Sequence, residues 1–79
     1  MKTEAELESL AKRICYIYKD VGMRFTLLHH RAMPVCVRFT TWNSLPLRSI
    51  KANVERDGWK TVGPFVKLDG ARYLEVYAV

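Results

Sequence analysis

Leu7, Leu10, Ile14, Ile17 and Val21 recur at alternating steps of three and four residues, the spacing that sets side chains on one face of a helix. Ala11, Cys15 and Tyr18 widen the stripe, and the pattern predicts a helix from Thr3 to about Val21. Thr3 followed by Glu6 is a capping-box spacing, in which hydroxyl and carboxylate satisfy orphan backbone amides reciprocally. Glu4, Glu6 and Glu8 fall near the positive end of the helix dipole, and Lys12, Arg13 and Lys19 fall towards the negative end. Glu8 is spaced to pair with Lys12, and Gly22 ends the helix. A coiled coil would need about three to four heptads, more than this segment holds, so the stripe is read as packing on a sheet.

After Gly22 the period changes from helical to alternating. Phe25 and Leu27, then Val35, Val37 and Phe39, alternate with Arg24, Thr26, Cys36, Arg38 and Thr40, which predicts a hairpin. Its connection, the run HRAMP from His30 to Pro34, is expected to be a loop of several residues because it is longer than a two-residue turn and carries a proline. A second helix is predicted from about Ser44 to Asp57, with Asn43 or Ser44 as cap and Leu47, Ile50 and Val54 on its buried face. Gly58 stops it, and Trp59 falls where a side chain folds back onto the last turn as a hydrophobic latch.

The tail predicts a second hairpin. Asp69-Gly70 is read as a two-residue type I′ turn, so that Leu68 faces Ala71, Val66 faces Tyr73 and Phe65 faces Leu74. In that register Phe65 joins Leu74 and Val76 on one face, while Val66, Tyr73 and Tyr77 line the other. With both faces apolar, the last strand is either central or turned towards a partner. Gly63-Pro64 is expected to interrupt or bulge the strand before it. The element order is therefore α-β-β-α-β-β. The fold class is α+β: one two-layer domain over residues 1–79, with a mostly antiparallel four-stranded sheet and both helices on one face.

Composition agrees with a folded domain, at 49% hydrophobic and 27% charged over 79 residues. The start of the chain is polar and charged, and no apolar run approaches the ~20 residues that span a bilayer, so the expectation is an intracellular, cytoplasmic protein without a membrane role. Cys15 and Cys36 show neither metal spacing nor a CxxC motif and are read as core thiols. No glycine-rich phosphate loop, nucleophile elbow or metal cluster occurs, and no cofactor is expected. His29 and His30 near arginines suggest acid–base work on an RNA phosphodiester, but neighbours on a strand point to opposite faces, so a weak RNase is the third-ranked reading.

Charge distribution carries the functional reading. Net charge is +5, and residues 21–54 contain Arg24, Arg31, Arg38, Arg48 and Lys51 without one acid. The polar face of the first hairpin would show Arg24, Thr26, His30, Arg38, Thr40 and Trp42. Arginine and tryptophan are favoured anchors of protein interfaces, and the same mixture suits phosphates and stacked bases. Arg24, His30, Arg31, Arg38, Trp42 and Arg48 are the expected contact residues. The first reading is a non-enzymatic protein that docks onto a protein complex, acidic or nucleic-acid-handling, as inhibitor or modulator. In size and economy it resembles small phage or prophage products that block a host complex, which would put it in the host cytoplasm. The alternative is an RNA- or DNA-binding regulator using the first hairpin, and homodimerisation through the C-terminal strand is a further expectation.

Overall fold

The computed structural model describes residues 2–79, apart from the side chains of His30 and Met33. Helix α1 (Glu4–Ile17) leads through a 3-10 turn (Lys19–Val21) into strands β1 (Arg24–His30) and β2 (Met33–Thr41). Helix α2 (Ser44–Arg56) is followed by β3 (Lys60–Val66) and β4 (Arg72–Tyr77). The α-β-β-α-β-β order and the α+β class are as the sequence predicts. All ladders are antiparallel and the strand order is β1-β2-β4-β3. Each half of the chain is thus a helix and a hairpin, and the β2–β4 ladder joins the halves.

Both helices lie on one side of the sheet. Leu7, Leu10, Ala11 and Ile14 of α1 and Leu47, Ile50 and Val54 of α2 meet Val37 and Phe39 of β2 and Leu74 and Val76 of β4, with Met23 and Trp59 closing the ends. The start of α1 carries the capping box, Thr3 accepting from the Glu6 amide at 3.1 Å while Glu6 accepts from the Thr3 amide at 3.2 Å. Glu8 and Lys12 pair at 3.2 Å. Asn43 caps α2 by accepting from the Leu45 amide at 3.0 Å. At its other end Gly58 takes a φ of 92°, and the Trp59 amide donates to the Val54 carbonyl at 3.0 Å, a Schellman ending that seats the indole in the core. The predicted latch is therefore present.

The apolar stripe of α1 ends sooner than predicted. The helix stops at Ile17, and Ile17 and Val21 are 63% and 45% exposed. Ile17 is the last helical residue, one heptad and about 20° on from the buried Leu10, and it lies at the rim of a groove shared with Ile50 and Val54 of α2. The 3-10 turn takes Val21 out of the helical progression, and its carbonyl instead accepts from the buried Thr41 hydroxyl at 2.9 Å.

Both hairpin connections also differ from expectation. The first is only Arg31-Ala32, and the irregularity sits inside the ladder as a register shift between Leu28 and His30. In the second, the Gly70 amide donates to the Lys67 carbonyl at 3.0 Å and the Lys67 amide to the Ala71 carbonyl at 2.7 Å. Only Gly70 has positive φ, 91°, so this is a type I turn with a glycine bulge, not a type I′ turn. The Asp69 carboxylate accepts from the Ala71 amide at 3.0 Å and stabilises that shape. The extra loop residue sets Phe65 opposite Tyr73 and Val66 opposite Arg72. A one-residue slip turns every side chain over, and Phe65 moves from the predicted core face to the other side of the sheet. As predicted, Gly63-Pro64, a cis bond, interrupts the β3 ladder between Val62 and Phe65. β4 has a neighbour on each side, so edge pairing of two copies through the C-terminal strand is ruled out.

Candidate functional site

The side of the sheet away from the helices is uncovered, and strand register determines what it carries. β2 supplies Cys36, Arg38 and Thr40, which lie beside Tyr77, Glu75 and Tyr73 of β4. Leu28, Thr26 and Arg24 of β1 flank β2 on one side, and Lys60, Val62 and Phe65 of β3 flank β4 on the other. Alternation along each strand puts this set on one face.

A connected polar cluster occupies its centre. Arg38 donates to one Glu75 carboxylate oxygen from Nη2 at 2.8 Å and from Nε at 3.2 Å. The other Glu75 oxygen accepts from the Tyr77 hydroxyl at 3.0 Å. The Arg38 guanidinium lies 4.6 Å above the Tyr73 ring, which packs against Phe65 with centroids 5.4 Å apart. Burial, then the hydrogen bond to Glu75, pushes the Tyr77 hydroxyl up to about 12. Cys36 is fully buried beneath this cluster, and burial, then the Glu75 charge, raises its thiol and disfavours thiolate. Both cysteines are free, as read from their spacing.

Two adjoining hollows at the β3–β4 turn extend the face, and Lys67 and Asp69 belong to both. One is completed by Arg38, Val66, Leu68 and Tyr73, the other by Gly22, Arg24, Thr40, Thr41, Trp42 and Ala71. Trp42 stands 65% exposed just past β2, and Phe65 is 43% exposed. Comparison with protein-family models, curated proteins and solved structures finds no match.

The residues singled out from the sequence separate into three regions. Arg24, Arg38 and Trp42 gather on or beside the open face, together with Thr26 and Thr40. Arg31 is exposed in the β1–β2 turn, at the opposite end of that hairpin from Arg24. His30 ends β1 next to it, and its side chain lies outside the described residues. Arg48 is exposed on α2, in the layer behind the sheet. Arg38 is also no free cation, since an acid remote in sequence neutralises it. Sequence reasoning missed Glu75, Phe65 and Val62 as members of this face. The alternation of Tyr73, Glu75 and Tyr77 was visible, but the β2–β4 pairing that brings them to Arg38 was not. His29 pairs with Glu4 of α1 at 3.0 Å, on the helical side. Among the described residues, no group of three or more His, Cys, Asp or Glu is arranged to hold a metal, and no helix is long and apolar enough to cross a membrane.

Proposed function

We propose that this protein is a non-enzymatic, cytoplasmic docking module that binds a protein complex through the open face of its sheet and inhibits or modulates it. One observation carries the reading: Tyr73, Tyr77, Val62 and Phe65 crowd the β4–β3 half of the face, and the arginine at its centre is already paired with Glu75. A phosphate backbone would meet a carboxylate there and find Arg38 occupied. A protein surface would instead meet tyrosine, phenylalanine, tryptophan and arginine, the side chains enriched at interface cores. Arg38 held between Glu75 and Tyr73 is also pre-organised, which lowers the ordering cost of association.

The second reading is nucleic-acid binding, favoured by the hollow where Arg24 and Lys67 stand beside Trp42. The two are separated by immobilising wild type, Phe65→Ala and Trp42→Ala and capturing from lysate with and without nuclease. The docking reading expects a discrete protein that survives nuclease and is lost from variants whose melts match wild type. Binding to mixed RNA or duplex DNA that weakens steeply with salt, with a slope flattened by Arg24→Ala, would replace it by the second reading.

A further inference from the structure

The two edges of the sheet are unequal. β3 is broken by the Gly63-Pro64 bulge, and a strand so interrupted is a poor template for another. β1 has no proline, holds an unbroken ladder with β2 from Arg24 to Leu28, and no described segment pairs with its outer side. Phe25 and Leu27, which pack against the core from this strand, remain only half-buried.

Helix α1 supplies the argument for what fits this edge. It rests on β1 and β2 and runs opposite to β1, its Glu4 reaching His29 near the end of that strand at 3.0 Å. At 3.6 residues per turn, Glu4, Glu8, Cys15 and Lys12 fall within a sector of about 80°. The Glu4–His29 contact turns that sector towards β1 and away from α2. Along it, the acids Glu4 and Glu8 come first and Lys12 follows.

We propose that the outer edge of β1 is a self-association site, pairing antiparallel with β1 of a second copy of this chain so that two four-stranded sheets become one. A two-fold axis through such a join sets the two α1 helices side by side and antiparallel. Because α1 leans towards β2, the two helix axes would be separated by two to three strand spacings, roughly 10–14 Å, a gap that long charged side chains span. The acidic start of each helix then faces the lysine of the other, Glu8 against Lys12, in exchange for the Glu8–Lys12 pair that each chain makes alone. The sector is complementary to itself only in the antiparallel sense, the one an antiparallel strand pair imposes, and Phe25 and Leu27 gain cover on the outer side. The join runs along the strand that also carries Arg24, Thr26 and Leu28 of the open face, and its test reads self-association rather than docking there.

Sedimentation velocity over a concentration series tests it on the full chain. The expected result is a reversible dimer. Thr26→Lys, at an exposed position of β1, crowds two lysines at the join and should weaken the dimer at least about tenfold with an unchanged melt. Glu8→Lys alone and Lys12→Glu alone should each weaken it by roughly tenfold, because every changed pair occurs twice, and the double reversal should restore it. A chain monomeric at every concentration reached overturns the proposal. So does a dimer indifferent to Thr26→Lys, or one in which the double reversal fails to rescue either single change.

Discussion

Arg38 and Glu75 show how one residue's role depends on a neighbour 37 positions away. The Glu75 side chain is 13% exposed, so removing its partner leaves a mostly desolvated carboxylate. Arg38→Ala is expected to cost about 1–3 kcal/mol in denaturant melts, with Glu75→Gln costing less because it removes the charge that needs a partner. A double-mutant cycle with Arg38→Ala and Glu75→Ala should return a coupling above that of an exposed pair, roughly 1 kcal/mol or more. Tyr77 reports on the same cluster by titration. Its folded pKa of about 12 lies above the ordinary value near 10, so the folded state holds the proton more tightly than the unfolded chain. The stabilisation tied to that proton is complete below about pH 10 and is lost as pH rises towards 12. Ultraviolet titration should show a late tyrosine component that disappears in Tyr77→Phe; the absence of that component from the wild type would contradict the burial of Tyr77 and its hydrogen bond to Glu75.

At the scale of elements, the amphipathic stripes and caps were legible because each depends on residues within a turn or two of one another. Leu7, Leu10 and Ile14 are buried as their spacing implies, and Leu10→Ala should cost about 2–5 kcal/mol. Ile17→Ala, at a position that looks equivalent in the sequence but lies on the groove rim, should cost about 1 kcal/mol or less. Equal losses for the two would mean that the heptad faces the core throughout. What was not legible depends on backbone detail. Asp69-Gly70 announces a turn, but whether one or both central residues take positive φ decides the register, and with it the face on which Phe65 emerges. Gly70→Ala meets no atom within 4 Å, so its expected cost of about 1–2 kcal/mol is backbone strain alone. The site was half legible for a related reason: Arg24, Arg38 and Trp42 share a hairpin and follow parity, whereas Arg38 meets Glu75 only through the β2–β4 ladder, which local pattern does not encode.

The whole molecule is organised by that ladder. Among strand pairs, β1–β2 and β3–β4 are each contained within one half of the chain, and β2–β4 alone crosses between halves, with the core beneath it. The crossing also distributes the docking face, since Arg38 comes from the first half and Glu75, Tyr73 and Phe65 come from the second. Any partner of this face therefore reads the assembled molecule, and variants that loosen the β2–β4 ladder should lose binding before they lose helix signal. Strand order has a consequence for how the chain can be cut. Severed between Trp42 and Asn43, ahead of the α2 cap, it gives two pieces that each keep a helix and a complete hairpin. Neither piece can bury its apolar sheet face alone, and a lone hairpin with one helix is too small for a stable core. Mixed, the pieces should find each other through β2 and β4 and recover the far-ultraviolet and tyrosine signals of the intact chain. The protein would then behave as a covalently tethered heterodimer, its fold a binding equilibrium between two halves that the peptide bond keeps at high effective concentration.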